Sequence, residues 1–164
     1  MTDMYDRILE LRAIRTFADR TLSDADLERI LEAARWTGTS KNNQAFSLVV
    51  VADPEQKSRL AECGDFMDPV RNAPVAVVLV KEPSGNDFDI GRVAQNVMLA
   101  ASAIGVASCP VTLHRSDDAA RVLGLPENRH CRWGVALGYP SDESAPARWG
   151  GRRPLGELVH RDRY

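Results

Sequence analysis

From Ile90 to Ile104 the chain is apolar almost all the way round a helix, and Arg92, Gln95, Asn96 and Ser102 are its only strongly polar interruptions. A helix without a polar face has to be buried on most of its sides. The chain has 164 residues, about one domain by length, so this helix belongs at the centre of the fold, in a subunit interface, or both. Gly105 suits its C-terminal cap. The longest apolar runs, such as Ala73 to Val80, fall far short of the roughly 20 residues that cross a bilayer, so an integral membrane protein is not expected.

The other elements follow from spacing. Met4, Ile8 and Leu11 predict a short first helix leading into the basic patch Arg12-Ala13-Ile14-Arg15. Ser23 is an N-cap candidate with Asp26 three positions on, and Leu27, Ile30, Leu31 and Ala34 line one face of the helix it opens, which Gly38 ends. Phe46 to Ala52 is short, β-branched and apolar, which predicts a strand buried on both faces. Pro54 starts another helix that Gly64 could close, and Ala73 to Val80 predicts a second buried strand. Glu82 to Asp87 is a loop by composition. Val106 to Leu113 predicts a third strand, and Pro110 within it implies an edge, a bulge or an early end to pairing. Ser116 caps a short helix to Leu125, and Cys131 to Leu137 predicts a fourth strand. A Gly/Arg/Pro-rich arm follows, with Leu155 to Val159 as a short strand or turn. No repeat or linker divides the chain, so a single domain over 1–164 is expected.

Several function classes lose their anchor. Against 21 Lys+Arg stand 23 Asp+Glu, a formal charge of -2, so no global field draws the chain onto nucleic acid or anionic lipid. Arg152, Arg153, Arg161 and Arg163 form no nucleic-acid reader motif. Cys63, Cys109 and Cys131 are widely spaced and odd in number, which excludes a disulfide scaffold. The start MTDMYDRILEL has no signal-peptide core, so a reducing cytoplasm is the expected compartment. His114, His130 and His160 show no metal-ligand spacing, and no metal site is expected. There is no GxSxG, GxxxxGK[ST] or GxGxxG motif. An enzyme built on this chain would draw its chemistry from a bound cofactor.

Two basic patches, Arg12/Arg15 and Arg152/Arg153, are either solvated surface pairs or a convergent anion site. Arg152 and Arg153 follow Gly150-Gly151 and precede Pro154, on backbone able to come close to a ligand and then turn. Guanidinium forks meeting from two distant points suit a phosphate monoester. Thr39-Ser40-Lys41-Asn42-Asn43-Gln44 is ordinary turn chemistry, or a row of hydroxyls and amides matching the donor and acceptor edge of a heterocycle such as a flavin.

Taken in order, Arg12 to Phe17, Leu27 to Trp36 and Thr39 to Phe46 resemble the N-terminal signature of the FMN-dependent nitroreductase family. Asp89-Ile90-Gly91 through Asn96 and Ala101, Gly105 through Pro110, Gly138-Tyr139-Pro140 and Arg152-Arg153-Pro154-Leu155 fall in the family's order. The resemblance covers most of the chain. It implies an α+β, nitroreductase-like three-layer fold, with a mixed, mainly antiparallel central sheet flanked by helices, in a homodimer with FMN at the interface. NAD(P)H would be the electron donor, and nitroaromatics, quinones or similar small aromatics the acceptors, in a ping-pong cycle. By the same resemblance Arg12, Ala13 and Arg15 would line the FMN site, and Arg152 or Arg153 would close on the phosphate. Thr39, Ser40 and Asn42 would reach the cofactor from the partner subunit, with Gln44 close by. Pro110, Val111 and Thr112 would lie against one ring face, the Thr112 N–H near flavin N5. No side chain is assigned as a dedicated acid or base.

The chain departs from the family pattern at Leu11, where many relatives carry a basic residue, and at Ala45-Phe46, which replaces the usual Pro-Trp. The Glu82 to Phe88 loop replaces a much longer helical excursion that covers the substrate pocket in larger relatives. These departures leave a second reading, a non-catalytic flavin-binding or interaction protein on the same fold. Arg71 and Asn72 are the nearest polar candidates for a place beneath the ring. Trp36, Trp133 and Phe46 read as core or interface aromatics rather than substrate platforms, Cys109 as a buried small hydrophobe rather than a redox-sensitive thiol, and His114 as a surface residue following a strand rather than a proton donor to a substrate.

Overall fold

A computed structural model describes residues 3–145 and 151–164. Four apolar runs form the strands β1 (Phe46–Val51), β2 (Val75–Lys81), β3 (Ala107–Thr112) and β4 (His130–Gly138), in the sheet order β1-β2-β4-β3. Every pairing among these strands is antiparallel, so the described residues contain no parallel pair of the kind a mixed sheet would have. Helices α1 (Met4–Glu10), α2 (Asp24–Arg35), α3 (Pro54–Ala61), α4 (Asp68–Asn72), α5 (Asp87–Ala103), α6 (Ser116–Leu123) and α7 (Leu155–Leu158), with a 3-10 turn at Ser40–Asn42, complete the elements.

The period of two along β2 sorts its side chains between two cores. Ala76, Val78 and Val80 point to a cluster shared with Leu60 and Val70 from α3 and α4, and with Ala119 from α6. Val75, Val77 and Leu79 point the other way, to Ile30 and Ala34 of α2 and Ile90, Val93, Val97 and Ala101 of α5. The result is the three-layer α+β arrangement, helices on both faces of one sheet. Each fully buried Val, Leu or Ile contributes about 1.5–3 kcal/mol over an exposed one, so both faces are firmly seated.

Ser23 caps α2 through its Oγ, which accepts the Asp26 N–H at 3.1 Å, and Pro54 stands in the first turn of α3 behind the capping Asp53. Gly105 takes φ 76° just past α5, a left-handed turn that glycine adopts without penalty. Other expectations are corrected. β1 is not sealed on both faces: only Val51 is buried and Val50 is exposed, because β1 is the last strand of the sheet and the helices cover it incompletely. α2 stops at Arg35 with Trp36 as its cap, short of Gly38, and Trp36 is 73% exposed rather than core. α3 ends at Ala61, capped at Glu62. Ser116 is the first residue of α6 rather than its cap, and the helix closes at Leu123 on left-handed Gly124. Leu155–Leu158 is one helical turn rather than a strand.

α5 buries one side only. Ile90, Val93, Val97 and Ala101 are sealed, while Ala94, Met98, Leu99 and Ala100 stay half-buried. α1 buries nothing, leaving Met4, Tyr5, Ile8 and Leu9 exposed. The segment between α1 and α2 runs along the sheet margin: the Ile14 N–H donates to Ser108 O at 2.9 Å, Phe17 bridges to Pro140, and the Ala18 N–H donates to Tyr139 O at 2.9 Å.

Candidate functional site

β3 is the edge on which the site is built. The Leu113 N–H donates inward to Arg132 O at 2.7 Å, whereas Ser108 O faces outward to Ile14. Backbone direction alternates along an antiparallel strand, so Pro110 and Thr112 face outward with Ser108. The pairing continues unbroken across Pro110, which accordingly costs the ladder no bond. It also leaves Thr112 as the single outward N–H between Pro110 and Leu113, and that N–H has no acceptor among the described residues.

A cleft of about 660 Å³ lies over this edge, lined by Arg15 and Thr16 on one side and by Asp65, Phe66, Asp68, Pro69 and Asn72 on the other. Cys109, Pro110, Val111 and Thr112 form its floor and His114 its far end. Arg15 is exposed and has no carboxylate partner among the described residues. Burial pushes the Cys109 thiol upward, offset in part by the Arg15 charge. Val111 directs its side chain to the core and offers the cleft mainly backbone. Ala13 likewise packs against that core.

The opposite wall is braced. Arg115 donates from Nε to Glu62 O at 2.9 Å, from Nη2 to Gly64 O at 2.8 Å and from Nη1 to Asp65 Oδ1 at 2.7 Å. That hydrogen bond is the main reason the Asp65 carboxyl titrates below its ordinary range. Gly64 permits the wall to approach: a Cβ there would stand 2.7 Å from Thr112 O. At the end of α4, the buried Lys57 ammonium donates to Ala73 O and, at 3.4 Å, to Pro74 O, holding the backbone just beyond Asn72. Asn72 lines the cleft, while Arg71 turns away to Glu62.

The remaining expected residues stand elsewhere. Arg12 donates to Leu9 O and Leu11 O and lines a neighbouring cavity of about 300 Å³ with Arg7 and Ser108. Thr39, Ser40, Asn42 and Gln44 lie beyond the opposite sheet edge, before β1. Three α5 side chains at helical spacing hold that loop. Asn96 Nδ2 donates to Thr37 Oγ1 at 2.7 Å, Arg92 Nη1 donates to Gly38 O, and the buried Asp89 carboxylate accepts the Ser40 N–H at 3.2 Å. Asn86 Nδ2 also donates to Asp89 Oδ2, at 2.8 Å. The clamp fixes a backbone in which Lys41, Asn42 and Gln44 all take positive φ, at 50°, 54° and 50°, a conformation costing roughly 1–2 kcal/mol at each non-glycine residue. Thr39 Oγ1 accepts the Gln44 N–H at 2.9 Å across the turn. Arg152 and Arg153 are exposed on the arm, and Arg152 donates to Gly151 O. Within one chain neither approaches the cleft lining.

Sequence reasoning did not assign Asp65, Phe66, Asp68, Pro69 or His114 to the site. The available signal was Gly64-Asp65-Phe66, a glycine followed by an acid and an aromatic in a segment with no periodic burial.

The FMN implied by the resemblance can be tested against this geometry. A flavin ring needs a donor for N5, a cation near its pyrimidine edge and a flat approach to one face. The outward Thr112 N–H, Arg15 and Pro110 supply these along one edge, so the ring fits. The cations for its phosphate are divided between the Arg12 cavity and the arm.

Residues 8–63 and 66–139 match the Nitroreductase family. The chain belongs to the nitroreductase family. A family relative in Archaeoglobus fulgidus, whose name pairs an NADH dehydrogenase with an NAD(P)H nitroreductase, is 30% identical over 154 residues, covering 87% of this chain and 88% of its own. An NADPH-flavin oxidoreductase of Vibrio harveyi is 28% identical over all of this chain and 75% of its own. Among solved structures, nitroreductase A of Vibrio parahaemolyticus superposes with a TM-score of 0.90 at 27% identity, covering 100% of this chain and 77% of that one.

Proposed function

We propose that the protein passes electrons from NAD(P)H to a small aromatic acceptor such as a quinone or nitroarene, through FMN held on the outer edge of β3 in a homodimer. As a nitroreductase family member it is an FMN-dependent NAD(P)H oxidoreductase. FMN, when bound, would supply the hydride-transfer chemistry between donor and acceptor. The chain's own part is to bind, orient and bias the ring electrostatically.

Thr112 would present its N–H to the ring's central edge, and Arg15 would lay a guanidinium beside the pyrimidine edge, where negative charge grows on reduction. A hydrogen bond to such a charge contributes about 1.5–3 kcal/mol, without reorganisation because the donor is already in place. Pro110 offers one flat apolar contact beneath the ring. The other face stays open to the cleft, where donor and acceptor would bind in turn, close enough for transfer.

Thr39, Ser40, Asn42 and Gln44 then act on the partner's cofactor. Support for the dimer comes from apolar surface that the described residues leave uncovered: Met4, Tyr5, Ile8 and Leu9 on α1, Trp36, and Leu155, Leu158 and Val159 on the arm. Large exposed apolar side chains clustered on one element, as on α1, mark an interaction surface.

The observation that carries the proposal is the outward N–H of Thr112 beside the Arg15 cation, neither of which finds an acceptor or carboxylate partner among the described residues. The experiment is anaerobic mixing of the purified protein, after incubation with FMN, with NADPH and with NADH. Loss of the visible flavin bands within seconds, and their return on adding a quinone, is the expected result. A coloured protein that neither donor bleaches would instead be an inert flavin carrier, and a colourless one that FMN does not stain would remove the cofactor site altogether.

A further inference from the structure

Beyond Thr112 the cleft ends in two side chains that the cofactor does not need, His114 and Phe66. The Asp65 backbone N–H donates to His114 Nδ1 at 3.2 Å. The Asp65 carboxylate also faces Nδ1, but its Oδ2 stands off at 3.7 Å, beyond hydrogen-bond reach, so Nδ1 is the acceptor and the proton of the neutral ring resides on Nε2. The donor of that bond cannot drift, because Arg115 grips the carbonyls of Glu62 and Gly64 and the carboxylate of Asp65 together. Phe66 stands edge-on to the imidazole, with centroids 6.4 Å apart and planes at 68°. It is 82% exposed yet lines the cleft. A phenyl ring left in water beside a fixed N–H donor is an unfavourable arrangement for stability alone, and a suitable one for a ligand with a flat apolar body and one polar atom.

We propose that His114 Nε2–H holds the oxygen of the electron acceptor, with Phe66 packing against its ring, so that the pair selects neutral planar aromatics carrying a carbonyl oxygen, such as a quinone. The inference rests on the flavin reading above and adds to it the residues that recognise the acceptor. A quinone reduced here gains two electrons and one proton as hydride from the reduced flavin, and a second proton from water. That second proton ends on a quinone oxygen, and His114 keeps its own proton throughout. His114 is a binding and orienting residue, and its tautomer is set from behind by the Asp65 backbone.

The test bypasses NAD(P)H, because the nicotinamide would occupy the same cleft. Holoenzyme reduced with dithionite is mixed in a stopped-flow instrument with menadione and, separately, with ferricyanide, an inorganic acceptor that needs neither an aromatic contact nor an N–H. His114→Leu is expected to slow flavin reoxidation by subsaturating menadione by about tenfold, the scale of one hydrogen bond, and to leave reoxidation by ferricyanide within about twofold. His114→Gln, which keeps an amide donor, recovers most of the menadione rate. Phe66→Ala raises the menadione concentration needed for half-maximal rate without changing the ferricyanide rate. Equal slowing with both acceptors, or unchanged menadione kinetics in His114→Leu, would overturn the proposal. If reduced unaltered protein retains no FMN, the flavin reading fails and this proposal with it, an outcome visible before any variant is made.

Discussion

The loop from Thr39 to Gln44 and the arm from residue 151 onward carry the two groups of residues that the family resemblance sends to a partner's cofactor or to its phosphate, yet the chain treats them in opposite ways. The loop is clamped by Asp89, Arg92 and Asn96 and holds positive φ at three non-glycine residues. Every residue from 151 to 164 is exposed, and the arm's hydrogen bonds among the described residues stay within it. The difference separates two ways of building a shared site. The loop's ordering cost is met when the monomer folds, whereas the arm's falls due on association or ligand binding.

Deleting residues 151–164 should break this comparison most sharply. Removing the arm, and with it the phosphate contact of Arg152 or Arg153, is expected to weaken FMN binding by about tenfold to a hundredfold, the scale of one charged contact at about 1.5–3 kcal/mol, while the far-UV circular dichroism of the remaining chain is preserved. Fluorescence titration of the apoprotein measures the affinity, and full-strength binding by the shortened chain would show that the arm has no part in the site. The anchored loop should respond the other way. Asp89→Ala strands the Ser40 N–H and the Asn86 amide and is expected to cost about 1–3 kcal/mol in urea unfolding, with a smaller loss of FMN affinity. A variant as stable as the parent would mean that the loop is not held through α5.

The smallest effect concerns the anchor of the cleft wall. Burial lowers the Lys57 ammonium pKa below its ordinary 10.5. Between that lowered value and 10.5 the unfolded chain binds more protons than the folded one, so stability rises with pH there. Compared with Lys57→Met, the native protein should gain stability as pH climbs through this window and show a constant difference below it. Denaturant midpoints taken from pH 7 to 10.5 check the sign, and a falling difference would mean that the wall is held by a favoured ammonium rather than a penalised one.

Most of the architecture was legible because burial imposes periodicity. β2 alternates between two cores, Ser23 and Pro54 announce helix starts, and Pro110 marks an edge. β1 is less buried than its apolar run predicts, because it is the last strand of the sheet, a position that only the sheet order reveals. Arg15, Pro110 and Thr112 were legible through the resemblance, and the structure gathers them around one cleft. Phe66 carries no spacing signal, and His114, weighed as a proton donor, reads as surface; both reach the cleft only because Gly64 lets one segment close on the end of β3. The α5 clamp was half visible: Arg92 and Asn96 interrupt an apolar helix, but what they hold lies more than fifty residues earlier in the chain.

Pro110 has one more effect, on which neighbours the molecule can tolerate. A bare sheet margin invites a second polypeptide to zip onto it, and such additions lead towards fibres. On β3 the incoming strand would find no donor at Pro110 and, one step along, Ser108 O already taken by Ile14. The margin stays accessible to a flat small molecule and inhospitable to another β-chain.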